Sequence, residues 1–328
     1  MKLVIPMAGF GTRMRPHTWS RPKPLLSLAG KSMLAHLLDR FSEEPIDEYV
    51  FIVGYLGEQI EEYVRATYEI PARFVLQEEM QGQAHALWLA REYLEGPLFL
   101  IFVDTLFDDA DFSKLDTPGL DGIIFTKEED DPRRFGVVET DAAGHATKLI
   151  EKPTSMENKN VLMGLYYFND GAWLARACED LMAKRIQTKG EYYLADAVTL
   201  MVAEGAEFHT REVGIWQDTG KPETTFITHR YLLEHGHDNS AEALHPGLTI
   251  IPPVYLHPQA TIKRSVIGPY VSVHAGATVR DSILRDVIVD EGAVVENVVL
   301  EKSLIGRWVT VQGKSRSLNI GDSSTITI

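Results

Sequence analysis

Cysteine is almost missing from this chain. Cys178 stands alone among 328 residues, which excludes a disulfide framework and fits a reducing, cytoplasmic setting. Long apolar runs are missing too: none approaches the roughly 20 residues that a membrane-spanning helix needs. The first residues lack the charged, apolar and small-residue succession of a secretory signal. A soluble protein without a membrane partner is the expectation. Positive charge is scarce, with 32 Lys and Arg against 47 Asp and Glu and a formal net charge of −15. Such a balance disfavours general affinity for nucleic-acid backbone.

One stretch reverses that balance. Residues 1–38 carry Lys2, Arg13, Arg15, Arg21, Lys23 and Lys31 and no carboxylate, a local excess of six positive charges. An island of this kind suits a small polyanion better than a long one.

Hydrophobic residues make up 45% of the chain, enough to bury more core than one ordinary domain needs, so two domains are expected. In the first half, the short apolar runs Lys2 to Ile5, Tyr49 to Val53, Arg73 to Gln77 and Leu98 to Val103 read as buried parallel strands. Helical spacing covers Lys31 to Phe41, Glu58 to Tyr68 and Gln83 to Leu94 between them. The alternation argues for an open α/β sheet. From Gly122 to Phe168 the pattern turns to strand pairs, with Gly144 at one turn, and helices resume at Ala172 to Ala183, Tyr192 to Ala203 and about Glu223 to Glu234. These segments make one expected domain, residues 1–240.

The polar, breaker-rich residues that follow read as a linker, 241–250. Thereafter Leu256, Ile262, Ile267, Val273, Val279, Leu284, Val289, Val295, Leu300, Ile305 and Val311 recur at steps of six or five. That period signals a hexapeptide-repeat parallel β-helix over 251–313, in which each coil buries an aliphatic ladder and stacks on the next. Residues 314–328 leave the ladder and read as a cap or tail. An antiparallel sandwich of short strands is the competing pattern, and the regular step favours the coil.

The charged opening lies directly after the first apolar run, where α/β proteins bind phosphates. Two general phosphate motifs fail there. Met14 stands where a dinucleotide fingerprint needs its third glycine, and the G-K-[ST] of a Walker loop is absent. Present instead is "GFGTRMRP", residues 9–16, followed by "RPKP", residues 21–24. This pair resembles the signature of the sugar-nucleotide pyrophosphorylases, the nucleoside-diphosphate-sugar nucleotidyltransferases. The resemblance runs along almost the whole chain: "QEEMQGQAHA" (77–86), "FVDT" (102–105), "LIEKP" (149–153), "MGLYYF" (163–168) and "WQDTG" (216–220) match family landmarks in order. It is nearest to the glucose-1-phosphate thymidylyltransferases and the UDP-sugar pyrophosphorylase-like members that end in a left-handed β-helix.

The resemblance implies a Rossmann-like nucleotidyltransferase domain with a mixed, mostly parallel sheet, followed by a short left-handed parallel β-helix. It further implies an enzyme that joins a sugar 1-phosphate, glucose 1-phosphate above all, to dTTP or UTP with release of pyrophosphate. Such a reaction forces two anions together, and the residues offer the means. Backbone N–H groups around Ala8, Gly9, Gly11 and Thr12 can approach a triphosphate. Arg13 and Lys23 are the implied catalytic cations. Asp104 and Asp218 are the implied ligands of Mg²⁺, which commonly takes one or two carboxylates plus substrate phosphate oxygens. Gln77 and Gly82 fall to the base, and Gly136, Glu151, Lys152, Gly164 and Trp216 to the sugar phosphate. The coil is expected to mediate homo-oligomerisation.

Arg15 and Arg21 stay outside this set as solvated helpers, His85 reads as structural, and the acidic loops "DDADFSKLD" and "EEDD" as solvated. Ala8 replaces a common glycine, bulky Phe10 fills a variable position, and Thr105 follows Asp104 where glycine usually precedes the aspartate. These departures bear on the choice of base and sugar. Two other readings are a non-catalytic regulatory or assembly subunit of the same fold, and an N-acetylglucosamine-1-phosphate uridylyltransferase with an added acyltransferase using His274. Retention of both cations and both aspartates opposes the first, and a ladder of only about three coils opposes the second.

Overall fold

The computed structural model describes residues 1–328 except 113, 114, 116, 117, 244–246 and 314–328. The expected C-terminal cap or tail, 314–328, lies outside the described residues. The chain divides into two compact units, one of residues 1–26 and 31–225 and one of 27–30 and 226–328.

The first unit is built on a nine-stranded mixed sheet. Four strands at its heart, Leu98–Ile101, Lys2–Pro6, Glu48–Val53 and Ala72–Leu76, run parallel in that spatial order. Leu3, Val4, Ile5, Phe51, Ile52, Phe99 and Leu100 are fully buried, which explains why the first three of these strands read as continuous apolar runs rather than alternating ones, whereas Ala72–Leu76 lies at the sheet edge with Arg73 and Leu76 exposed. Helices Gln83–Leu89, Gly171–Ala183 and Leu194–Ala203 pack their apolar stripes into one core with the sheet. Cys178 lies within that core, and burial pushes its thiol pKa far up, so it is an inert packing residue.

The other strands are mostly antiparallel. Asn160–Phe168 pairs with Leu98–Ile101 and with Gly122–Glu128, and Gly136–Thr140 pairs with Ala146–Glu151. The register of the Asn160–Phe168 strand shifts between Leu162 and Tyr166. Gly164, at φ +87°, sits in that bulge, and its carbonyl accepts from Phe102 N at 3.0 Å.

The helix expected to begin at Lys31 spans Met33–Asp39, capped by Ser32, whose Oγ accepts from Ala35 N at 3.0 Å. Ahead of it the loop holds three one-turn 3-10 helices, Thr12–Met14, His17–Trp19 and Lys23–Leu25. Pro16, Pro22 and Pro24 have no N–H to give a continuous helix. The phosphate-binding expectation therefore rests on loop backbone rather than on an α-helix N-terminus.

In the second unit the recurring aliphatics sort into three stacks, one per face of a parallel coil. Ile250, Ile267, Leu284 and Leu300 form one stack, Leu256, Val273, Val289 and Ile305 another, and Ile262, Val279, Val295 and Val311 the third. Among the described residues each stack has four rungs, twelve in all against the eleven of the sequence ladder, because Leu248–Ile250, within the segment read as linker, is a strand that adds Ile250. Corner residues also stack. Arg264, Asp281 and Asn297 share positive φ, as do Tyr270, Asp286 and Lys302, and then Gly276, Gly292 and Trp308.

The units divide between Thr225 and Phe226, inside helix Pro222–Leu232 and ahead of the 241–250 segment. Residues 226–240 group with the coil for identifiable reasons. Arg230 pairs with the buried Asp286, and Asn239 mimics a strand edge, donating from Nδ2 to Leu256 O at 2.9 Å and accepting from Leu256 N at 2.8 Å. Asp238 Oδ1 accepts from Val254 N at 2.9 Å. These polar residues close the open backbone edge of the first coil. His274 is buried beside Tyr255, with ring centroids 6.0 Å apart. No helix among the described residues is long and apolar enough to cross a membrane.

Candidate active site

Parallel strands deliver their C-terminal ends to one edge of the sheet. Lys2–Pro6 leads into residues 7–13, Ala72–Leu76 into Gln77, and Leu98–Ile101 into residues 102–104. A cleft of about 650 Å³ opens there, lined by all fifteen residues assigned from the sequence, from Ala8 to Asp218. It lies wholly within the first unit.

Where the triphosphate is expected, Gly11 has φ +61°, and a Cβ there would come within 3.0 Å of Thr18 Cγ2 and 3.1 Å of Lys23 Cβ. Only glycine satisfies both the left-handed backbone and the close approach. Thr18 Oγ1 donates to Gly11 O at 2.8 Å and holds the turn. A Cβ on Gly9 would meet nothing within 4 Å, so this glycine borders open space in the cleft. Arg15 stacks on Trp19, 3.8 Å from the ring centroid, away from the set that lines the cleft.

Lys23 Nζ donates to Asp104 Oδ2 at 2.7 Å. Burial, the largest influence on Asp104, would raise its carboxyl pKa, but the charge and hydrogen bond of Lys23 and the charge of Arg13 together hold it below the ordinary value. Asp104 is thus kept ionised. Strand Ile215–Asp218 pairs antiparallel with Thr105–Asp108, setting Asp218 opposite Thr105, and Thr219 N donates to Asp104 O at 3.1 Å. This pairing brings the backbone carrying Asp218 beside that carrying Asp104, 114 positions away in sequence, and both residues line the cleft. Gly220 N donates to Asp218 Oδ1 at 2.7 Å, and a Cβ on Gly220 would come 3.1 Å from Arg13 Nη2. Among the described residues no group of three or more His, Cys, Asp or Glu side chains gathers to hold a metal. Two neighbouring carboxylates fit a divalent ion completed by substrate phosphate oxygens.

Where the base is expected, Gln77 Nε2 donates to Gly82 O at 3.1 Å and lies 3.2 Å from His85 Nδ1. Gly82 has φ +110°, and a Cβ would come 2.4 Å from Tyr192 O.

Where the sugar phosphate is expected, Gly136 and Glu151 face each other across two strands, and a Cβ on Gly136 would stand 3.0 Å from Glu151 Oε2. Burial raises the Glu151 pKa, against the lowering charge of Lys152. Lys152 Nζ donates to Tyr193 Oη at 2.7 Å and lies 3.8 Å from Glu151 Oε1. Trp216 packs edge-on against Phe135, with centroids 4.9 Å apart.

Arg134, Phe135, Tyr193 and Lys221 line the same cleft without having been singled out from the sequence, and Thr105, noted there only as a departure bearing on base and sugar, lines it too. Thr105 Oγ1 donates to Met163 O at 2.9 Å and buttresses the bulge. Lys221 follows "WQDTG" directly, and Arg134 and Phe135 precede Gly136, so proximity to a landmark was the available signal. Tyr193 had none, because only the tertiary fold brings it to Lys152.

Residues 2–235 match the family described as nucleotidyl transferase, and residues 249–315 match the GlmU-like C-terminal hexapeptide family. The second match is consistent with the left-handed coil. A probable mannose-1-phosphate guanylyltransferase of Oryza sativa subsp. japonica is 26% identical over 98% of this chain and 93% of its own. The UTP–glucose-1-phosphate uridylyltransferase AglF of Haloferax volcanii is 30% identical over 68% of this chain and 93% of its own. The bifunctional protein GlmU of Methanocaldococcus jannaschii is 30% identical over 71% of this chain, which spans 55% of that relative's length. A crystal structure of UDP-glucose pyrophosphorylase complexed with UDP-glucose shares the fold, with TM-score 0.62 at 18% identity, over 71% of this chain and 98% of that one.

Proposed function

Because the chain belongs to the nucleotidyl transferase family and is a sugar-1-phosphate nucleotidyltransferase, we propose that it joins glucose 1-phosphate to dTTP or UTP and releases pyrophosphate. An oxygen of the sugar phosphate attacks the α-phosphorus, that P–O bond forms, and the bond to the β-phosphate breaks as pyrophosphate leaves. No covalent enzyme intermediate is required.

One observation carries this reading: a single cleft holds Arg13 and Lys23 beside Asp104 and Asp218, with Gln77 and Glu151 also on its walls. Loop N–H groups near Gly9, Gly11 and Thr12 would seat the triphosphate. Arg13 and Lys23 would oppose charge building on the α-phosphate and the leaving group, the kind of electrostatic help worth about 10²–10³ in rate per donor. Glu151 would accept from sugar hydroxyls, while Lys152, oriented by Tyr193, would hold the sugar phosphate. The family generally uses a divalent metal. Asp104 and Asp218 would hold it, Mg²⁺ in this proposal, and when bound it supplies positive charge to phosphate oxygens.

The relative acting on UTP and glucose 1-phosphate favours the pyrimidine and glucose choice, and the guanylyltransferase relative makes GTP and mannose 1-phosphate the alternative to test. Purified protein with Mg²⁺ should release pyrophosphate only when both a nucleoside triphosphate and a sugar 1-phosphate are supplied. Crossing dTTP, UTP, GTP, CTP and ATP with glucose, N-acetylglucosamine and mannose 1-phosphates identifies the pair. Absence of release in every combination by folded protein would sink the proposal. Self-association through the coil, whose adjacent outward residues Ile283 and Val299 are 47% and 74% exposed, is checked by sedimentation.

A further inference from the structure

Gln77 is only 4% exposed yet lines the cleft, and the orientation of its amide can be deduced. The nitrogen placed 3.1 Å from Gly82 O has a backbone carbonyl for a neighbour, which can only accept. Reversing the amide would set two oxygens against each other, so the nitrogen must face Gly82. That nitrogen also reaches His85 Nδ1 at 3.2 Å. Since Nε2 can only donate, Nδ1 must be the bare, accepting nitrogen of a neutral ring. Burial, the largest influence, lowers the His85 pKa and outweighs the backbone hydrogen bond and the charge of Glu79. The ring is further held against Trp88, with centroids 6.2 Å apart. Both N–H groups of Gln77 are therefore spent, and Oε1 is what the side chain has left for a ligand.

We propose that His85 is a positioning residue which, with the Gly82 carbonyl, locks the Gln77 amide so that only its oxygen meets the bound base. The cleft then accepts bases whose edge carries a ring N–H, namely uracil, thymine or guanine. Cytosine and adenine present a ring acceptor at the corresponding place and are refused. This rests on the nucleotide-site reading above. The lock does not separate uracil from guanine, which differ in size rather than in this donor.

Calorimetric binding of UTP, dTTP, GTP, CTP and ATP to the wild type, His85→Leu and His85→Asn tests it, alongside pyrophosphate release with glucose 1-phosphate. Opposed buried acceptors should make CTP bind about tenfold or more weakly than UTP. Losing one of the two anchoring bonds in His85→Leu should narrow the UTP-to-CTP ratio about fivefold. His85→Asn, whose Oδ1 can stand in for Nδ1, should retain it. A merely structural His85 would weaken all five nucleotides alike, so an unchanged ratio in His85→Leu overturns the lock, as does equal binding of CTP and UTP by the wild type. Selective binding without pyrophosphate release would sustain the lock and defeat the proposed reaction. Release with a flat nucleotide ratio would do the reverse, and failure to bind any nucleotide overturns both.

Discussion

The two units of this chain obtain order in opposite ways. In the first, buried parallel strands carry no chemistry themselves and instead aim single, non-equivalent loop residues into one cleft. In the second, short strands recur, most of them of three residues, and each inner aliphatic rung has equivalents above and below. Function is concentrated where residues cannot substitute for one another, while stability is spread where they nearly can. A change at a cleft residue of the first unit should therefore strike turnover, and a change at a buried rung of the second should strike folding.

The sharpest way to break that contrast is at the cations. Arg13→Ala or Lys23→Ala should each lower kcat by about 10²–10³ while barely moving the melting midpoint. A comparable loss of stability would mean that the loop also holds the fold. Leu284, fully buried in the coil, is the counterpart. Leu284→Ala should cost about 2–5 kcal/mol by denaturant titration of the coil transition, with turnover per folded molecule unchanged.

Gly82 lies between these cases. Gly82→Ala must place a Cβ 2.4 Å from Tyr192 O at φ +110°, strain of about 1–3 kcal/mol. It should raise the KM for nucleotide more than that for sugar phosphate, and equal effects on both would deny the base end its separate identity. A milder test uses pH. Glu151 has a raised pKa, so as pH falls it takes up its proton earlier than an ordinary carboxylate. The KM for sugar phosphate should rise on the acid side beginning above pH ~4.5, the ordinary value, and Glu151→Gln should flatten that limb. The smallest effect is expected at Arg264, exposed and paired with Asp281 across neighbouring rungs. Arg264→Ala should leave both midpoint and turnover within error, since exposed pairs contribute little.

Much of this was legible beforehand. The strands at 2–6, 48–53 and 98–101 announced themselves because they are buried on both faces, the edge strand at 72–76 by its apolar content although Arg73 and Leu76 are exposed, and "GFGTR" and "PKP" because the left-handed turn at Gly11 and the packing against Lys23 tolerate few alternatives. The role of Asp238 and Asn239 was hidden, since a polar residue that caps a strand edge looks like one in a linker. So was the division of the coil into three stacks, because a linear ladder does not say which rungs lie 16 or 17 residues apart in register.

The sequence by itself determined the fold class, the hexapeptide coil and the family, since those depend on local period and on motifs a few residues long. Tertiary structure alone decided which groups face each other. Asp104 meets Lys23, and Asp218 reaches the same cleft, only because parallel strands end at one edge and a distant strand pairs beside them. Gln77 has its donors taken only because Gly82 and His85 fold back on it. Charge state and hydrogen-bond direction depend on distances of about 3 Å, and no spacing along the chain encodes them.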